Sequence, residues 1–187
     1  MRHESPKADT STKAQFDPSL RSTSRRSDPE RLDYRWELFS RIAHEMLPLL
    51  RRQHDELGIN REHVPFDPDW DRYFQYERGG YLRVWTARAE GVLVGYVNCF
   101  LTNSLLCRSV LHGYAEHFWL APEWRSGRHG AGLLIGAERA MAALGAKVVR
   151  FNTNDAFEPG RDGRSRVGLM LGRQGYAPIV SIWEKVL

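Results

Sequence analysis

Apolar residues recur at helical spacing through Leu32, Trp36, Phe39, Ile42, Ala43, Met46, Leu49 and Leu50, which predicts an amphipathic helix. Asp28-Pro29-Glu30, a capping residue followed by proline at the first helical position, marks its start. The helix is expected to reach about Leu57 and stop at Gly58, with Pro48 bending it or dividing it in two. A Pro- and Asp-rich stretch from Asn60 to Asp71 follows, then a short helix carrying Trp70, Tyr73, Phe74 and Tyr76 and closed by Gly79-Gly80. The period then changes to two. Leu82, Val84, Thr86 and Arg88 alternate with Arg83, Trp85 and Ala87, and a tight turn at Glu90-Gly91 leads into Val92 to Leu101, the pattern of a β-hairpin. A third strand is expected over about Leu111 to Leu120, stopped by Pro122.

Helical spacing returns at Leu133, Leu134, Ala137, Ala140, Met141 and Leu144, and Gly145 closes that element. A buried strand, Lys147 to Phe151, comes next. The Gly-, Arg- and Asp-rich segment Glu158 to Arg164 reads as a loop, Arg166 to Gln174 as a short helix, and Tyr176 to Val186 as a final strand or strand pair. No internal repeat is visible. Residues 1–27 are rich in Ser, Thr, Lys, Arg and Asp with almost no large apolar side chains, too few to offset the entropy of ordering them. They read as a disordered basic and polar tail ahead of one domain over residues 28–187, long enough to build its own core.

Composition narrows the class. No apolar run approaches the roughly 18 residues of a membrane span, and no secretory signal opens the chain. Cys99 and Cys107 lack zinc-type spacing and read as small buried apolar residues, so a reduced cytoplasmic setting and no metal are expected. The net charge of +4 could suggest nucleic acid, but residues 1–31 hold half of it, and the rest of the chain carries no basic stripe or nucleic-acid motif.

The chemistry concentrates between Leu120 and Leu134: a strand end, a turn of small residues from Arg125 to Gly132, and an apolar helix. Glycines let main-chain N–H groups approach an anion, and the start of a helix adds partial positive charge, so the segment reads as a pyrophosphate cradle. The plain alternative is a glycine turn that only enters a helix. Gly130-Ala131-Gly132 is superficially like a dinucleotide fingerprint, but Pro122 to His129 separate it from the strand and no second βαβ unit follows. A P-loop is excluded because no Gly-Lys-Ser/Thr closes the turn.

Arg125 to Gly130 resembles the Arg/Gln-x-x-Gly-x-Gly/Ala signature of the GNAT N-acetyltransferases, and Pro122-Glu123-Trp124-Arg125 resembles its Pro-Glu-Tyr-Arg lead-in. Gly91 to Tyr96 is similar to that family's hairpin strand, and Arg173-Gln174-Gly175-Tyr176 to its terminal turn, so the resemblance spans about Arg31 to Leu187. A weaker likeness, in Leu47-Pro48-Leu49-Leu50 and Asp67-Pro68-Asp69-Trp70, is to GNAT proteins of phage and prophage genomes. The resemblance implies an α/β GNAT fold, a mixed twisted sheet flanked by helices, transferring an acetyl group from acetyl-CoA to a primary amine of a small-molecule or protein acceptor. It further implies that main-chain groups around Leu120 pair with the pantetheine arm, that N–H groups of Ser126, Gly127, Arg128, His129, Gly130, Ala131 and Gly132 hold the pyrophosphate, and that the Arg125 side chain adds charge. Arg128 stands where the signature has its first glycine, so its conformation must suit a residue with a side chain.

Only a neutral amine attacks a thioester, so such a reaction needs a base. Glu116 is the candidate, four residues before Leu120 and hence, by period two, on the same face. A solvated or ion-paired strand glutamate is the alternative, His117 is expected on the other face, and His112 is a second choice of base. The family's tyrosine acid has no counterpart, because Leu171 or Met170 occupies its place. Asn152 and Asn154 follow the strand that the family splays from its neighbour, where they contact the cofactor or a water, or cap a loop. Glu45, Glu56 and Tyr73 are the candidate acceptor contacts, the two carboxylates because an amine is cationic.

Two rivals stand beside this expectation: a non-catalytic acyl-CoA-binding or interaction module, and a nucleic-acid binder working through its basic tail. A monomer and a homodimer joined through the C-terminal strands both remain open.

Overall fold

The computed structural model describes residues 31–58, 60–126, 128–153, 165–179 and 185. In chain order the elements are strand β1 (Asp33–Glu37), helices α1 (Phe39–Leu57) and α2 (Trp70–Arg78), strands β2 (Leu82–Ala89), β3 (Val92–Ser104) and β4 (Cys107–Leu120), a 3-10 turn (Pro122–Trp124), helix α3 (His129–Ala143), strand β5 (Val148–Phe151) and helix α4 (Arg166–Arg173). The five strands form one sheet in sequence order. Every neighbouring pair is antiparallel except β4 and β5, which are parallel and joined through α3.

The first expected element needs correction. Asp33 to Glu37 is a strand, not the opening of a helix, and Asp28-Pro29-Glu30 lies outside the described residues. Its side chains obey period two: Trp36 meets the Trp85 ring edge-on at 5.2 Å on one face, and Glu37 meets Arg88 on the other. The apolar residues Leu32 and Trp36 merely coincide with the helical spacing that starts at Phe39. Helix α1 then runs unbroken through Pro48. Its start lacks a side-chain cap of its own, but the Glu77 carboxylate on α2 accepts the Ser40 N–H at 3.2 Å and sets negative charge at the positive end of α1.

Helices α1 and α2 cover one face of the sheet through an aromatic cluster in which Phe39 stacks on Tyr73 at 4.6 Å and packs against Trp70 and Phe74. Beneath them a buried Arg88 donates to both oxygens of Glu37 and of Glu45, and to the Gly91 carbonyl, linking β1, β2 and α1. Helix α3 covers the opposite face. It sits close because Gly132 and Gly136 present no side chain: a Cβ at Gly132 would fall 2.9 Å from Tyr34 Oη, and one at Gly136 would fall 2.8 Å from Trp85 Nε1. Between the layers lie Phe39, Met46, Val84, Tyr96, Val97, Leu133 and Met141, all fully buried.

The hairpin of β3 and β4 extends to a turn at Leu105-Leu106, so β4 begins four residues before the expected Leu111. Polar residues such as Asn103 and Ser104, opposite Leu111 and Cys107, continue the backbone pairing beyond the core, where no alternation marks them. Cys99 is buried, and burial pushes its thiol up to about 12, which suits an inert core residue. Cys107, expected to be buried, is exposed near the hairpin turn. Tyr176 to Ile179 form no strand, and most of the expected last strand lies outside the described residues. No described helix is long and apolar enough to cross a membrane.

Candidate active site

Strands β4 and β5 pair only from His112 to Ala115 opposite Val148 to Phe151, ending where the Asn152 N–H donates to the Ala115 carbonyl at 3.2 Å. At that point β4 carries a bulge. Cys99 faces Ala115 and Asn98 faces His117, which leaves Glu116 as the extra residue. The bulge reverses the orientation of the backbone. Ala115 turns its carbonyl to β5, whereas beyond the bulge the Ala121 N–H donates to Val94 of β3 at 2.8 Å. By the alternation of an antiparallel ladder, Trp119 and His117 also turn to β3, and the peptide groups of Phe118 and Leu120 turn into the gap beyond the end of β5. Their carbonyls already have donors, Gln53 Nε2 at 3.3 Å and Arg125 Nε at 2.7 Å respectively. The main-chain donor that Leu120 presents to the gap is therefore its N–H.

The same bulge overturns the expected faces. Trp119 points to α1, where its Nε1 donates to Glu56 Oε2 at 2.9 Å, so Leu120 points the other way, against Gly95. Glu116 and His117 both lie on the side of α1 and α2. Glu116 thus does not share a face with Leu120, and His117 does not oppose Glu116, because period two fails across the inserted residue. The Glu116 carboxylate is exposed and accepts a hydrogen bond from Asn152 Nδ2 at 3.3 Å. It lies near enough to the Tyr73 phenol to add to the upward shift that burial causes there. His117 is exposed by surface area, yet the atoms packed around its ring desolvate the imidazole and hold it below the ordinary value against the opposing pull of Glu116. His112 lies within the paired part of β4, stacked on Tyr114.

The turn after β4 enters α3 without strain. Arg128, the N-cap, has φ −104° and ψ 4°, a conformation open to residues with side chains, so the substitution of the signature glycine is accommodated. Its side chain makes no cap hydrogen bond. The first internal bond runs from the Gly132 N–H to the Arg128 carbonyl, so the Gly130 and Ala131 amides belong to the turn that a helix leaves without intrahelical acceptors. The space a Cβ would take at Gly130 is open. The Tyr34 hydroxyl donates to the His129 carbonyl at 2.9 Å and fixes the helix start on the sheet, while the His129 ring returns to the Trp124 carbonyl at 3.3 Å. Ser126 is exposed, and Gly127 and Asn154 lie outside the described residues.

Three candidate residues have strong partners. Arg125, expected to supply charge to a phosphate, grips the Glu56 carboxylate with Nη1 and Nη2, the latter at 2.7 Å. Glu56, expected at the acceptor, is held below the usual carboxylate range by Arg125, against burial and helped by Trp119. Glu45 gives both oxygens to Arg88, beneath α1 at β2. Only Tyr73 of the three expected acceptor contacts stands beside Glu116. Leu171 is buried and Met170 half-buried on α4.

Sequence reasoning missed Gln53, Tyr96 and Asn98. The Tyr96 hydroxyl donates to Gln53 Oε1, which ties β3 to α1 next to the gap. Asn98 is fully buried opposite His117, and neither of its amide atoms has a partner among the described residues. The polarity of Asn98 inside an apolar strand was the one available signal. Among the described residues no group of His, Cys, Asp and Glu could hold a metal ion.

Residues 43–159 match the family model described as the acetyltransferase (GNAT) family. Among solved structures, an aminoglycoside acetyltransferase from an uncultured soil metagenomic sample superposes with a TM-score of 0.64 at 16% identity, covering 84% of this chain and 99% of that one. A predicted acetyltransferase from Clostridium acetobutylicum, solved with acetyl-CoA, gives 0.58 at 14% identity, over 83% and 96% of the two chains. Ribosomal-protein-alanine N-acetyltransferase from Brucella melitensis biovar Abortus 2308 gives 0.54 at 18% identity, over 84% and 97%. No curated protein matches, and the matches that exist do not single out the phage and prophage type. With more than half of its length matched by the family model and the same fold in these structures, the chain belongs to the acetyltransferase (GNAT) family.

Proposed function

We propose that the protein transfers an acetyl group from acetyl-CoA to a primary amine. The observation that carries this reading is the juxtaposition of two main-chain features: the β4 peptides turned into the gap by the bulge at Glu116, and the start of α3, whose N-cap residue Arg128 makes no side-chain cap of its own. A pantetheine arm needs amide partners along an open strand edge, and a diphosphate needs clustered N–H donors with room beside them, which Leu120 and Gly130 offer. The C. acetobutylicum structure, solved with acetyl-CoA, supports the same donor. Bound acetyl-CoA supplies an activated thioester carbonyl that a neutral amine attacks, with the thiolate leaving.

This chain's own residues have two tasks. Glu116, exposed at the point where the strands part and oriented by Asn152 Nδ2, takes the proton of the acceptor ammonium, directly or through water. Tyr73, stacked on Phe39 and kept protonated by burial, forms the wall on the acceptor side. Holding the amine beside the fixed thioester provides much of the rate. The acceptor is a small-molecule or protein amine, a class to which the aminoglycoside and ribosomal-protein enzymes among the similar structures also point.

A non-catalytic acyl-CoA-binding module is the second reading, favoured by Leu171 and Met170 where the family's tyrosine would stand. A panel of amines with acetyl-CoA, scored by release of free thiol, separates the two. Turnover that falls in Glu116→Gln supports the enzyme; coenzyme binding without turnover on any amine supports the module.

A further inference from the structure

The guanidinium of Arg125 is the junction of three elements. Its Nε donates to the Leu120 carbonyl at the end of β4, its two terminal nitrogens hold Glu56 in the last turn of α1, and its plane lies 5.5 Å from the Trp119 ring. Glu56 is doubly committed, since Oε2 also accepts from Trp119 Nε1. Arg52, one turn earlier on α1, packs over the same ring at 4.9 Å and reaches Glu123 in the turn at 3.2 Å. Helix α1 is thereby fastened to the segment between β4 and α3 at two points.

A two-pronged pair between a guanidinium and a carboxylate fixes direction as well as distance. With both terminal nitrogens on Glu56, the only other polar contact of the group among the described residues is the Leu120 carbonyl. Its charge is neutralised, and its geometry aligns the end of β4 with the turn that enters α3.

We infer that Glu56 is a positioning residue for the coenzyme: by clamping Arg125 it holds the Leu120 peptide and the following turn in the conformation that receives the pantetheine arm and the diphosphate. This rests on the acetyl-CoA reading above. It opposes the simpler idea in which Arg125 supplies positive charge to a phosphate and Glu56 merely competes for it. The two ideas differ in sign. If Glu56 positions, neutralising it loosens the turn and weakens coenzyme binding; if Glu56 competes, neutralising it frees the guanidinium and tightens binding.

Calorimetric titration of coenzyme A into the full chain, with thermal melts alongside, decides between them. Glu56→Gln keeps the size and the oxygen that faces Trp119, so the fold is retained; Arg125→Gln, a second variant, keeps one donor for the Leu120 carbonyl. Each is expected to raise the Kd about tenfold, as for loss of one charge-assisted hydrogen bond. The double variant should be no weaker than the weaker single one, because both break one device. With a reactive amine in hand, the KM for acetyl-CoA should rise and that for the amine should not. A Kd unchanged or lowered in Glu56→Gln, with a melting temperature close to wild type, overturns the inference while leaving the coenzyme reading intact. Absence of binding by the wild type overturns both.

Discussion

Asn152 Nδ2 donates to Glu116 Oε2 at 3.3 Å, so a side-chain contact spans β4 and β5 at the point where their backbones part. The carboxylate is thereby aimed along the gap between the strands while staying exposed to solvent and to an incoming amine. Glu116→Gln keeps the shape and the contact but removes the basic oxygen. Turnover should drop by about 10²- to 10⁴-fold, the usual contribution of a general base, with little change in the Kd for coenzyme A. An equal loss of coenzyme affinity would instead give Glu116 a binding role.

The glycines of α3 should separate binding from packing. Gly130→Ala adds a Cβ in open space on a helix, which should leave the melting temperature unchanged or raise it, since alanine gains up to about 1 kcal/mol over glycine there. It should nevertheless weaken coenzyme binding by crowding the first turn. Gly136→Ala should do the reverse: its Cβ would fall 2.8 Å from Trp85 Nε1, forcing a shift that costs about 1–3 kcal/mol, with coenzyme affinity little changed. Thermal melts and calorimetry on the two variants check both halves.

The Arg88 cluster gives stability a pH dependence. Arg88 holds the carboxyl of Glu45 below its ordinary value against a smaller opposing effect of burial; for Glu37 burial is the largest single influence and raises it, but Arg88 and Thr86 together prevail and lower it. Carboxyls with depressed values in the folded state stabilise it fully above their unfolded values, and that stabilisation is lost as pH falls through the folded ones. The melting temperature should therefore fall as pH drops from about 5 towards 3, and less steeply in Glu45→Gln. Arg88→Met, which strands two carboxylates, should cost about 3–5 kcal/mol at neutral pH. A melting temperature flat across that acid range would contradict the assignment.

Asn98 carries a cost of its own. Its amide is buried with no partner among the described residues, and a buried unpaired polar group destabilises by about 1–3 kcal/mol. Asn98→Leu, which keeps the branched shape and replaces the amide with methyl groups, should raise the melting temperature by several degrees. A lower one would mean that the amide has a partner in solution.

Much of this arrangement was legible in the chain. Gly79-Gly80, Glu90-Gly91 and Gly145 end elements where turn chemistry requires, and the small-residue turn before Leu133 leads into α3 as expected. What misled was local coincidence. Leu32 and Trp36 fall on the helical period of α1 although Tyr34 and Trp36 line one face of an edge strand, a fact decided by pairing with β2. A bulge leaves no mark in composition, so counting by twos from Glu116 to Leu120 gives the wrong face. The acidic residues of α1 looked available for a cation because their arginine partners, Arg88 and Arg125, lie 43 and 69 positions away in sequence. Long-range ion pairs of this kind form only once the sheet brings α1 across β2 and β4.

Acetyl-CoA use by this chain depends most on the first turn of α3 receiving a diphosphate through its main chain. Amide NMR spectra of the full chain, recorded during titration with coenzyme A and separately with pantetheine, test this directly. The Gly130 and Ala131 amide signals should shift saturably with coenzyme A and stay in place with pantetheine, which has no diphosphate. Saturable binding of coenzyme A that leaves both signals unmoved would contradict the account.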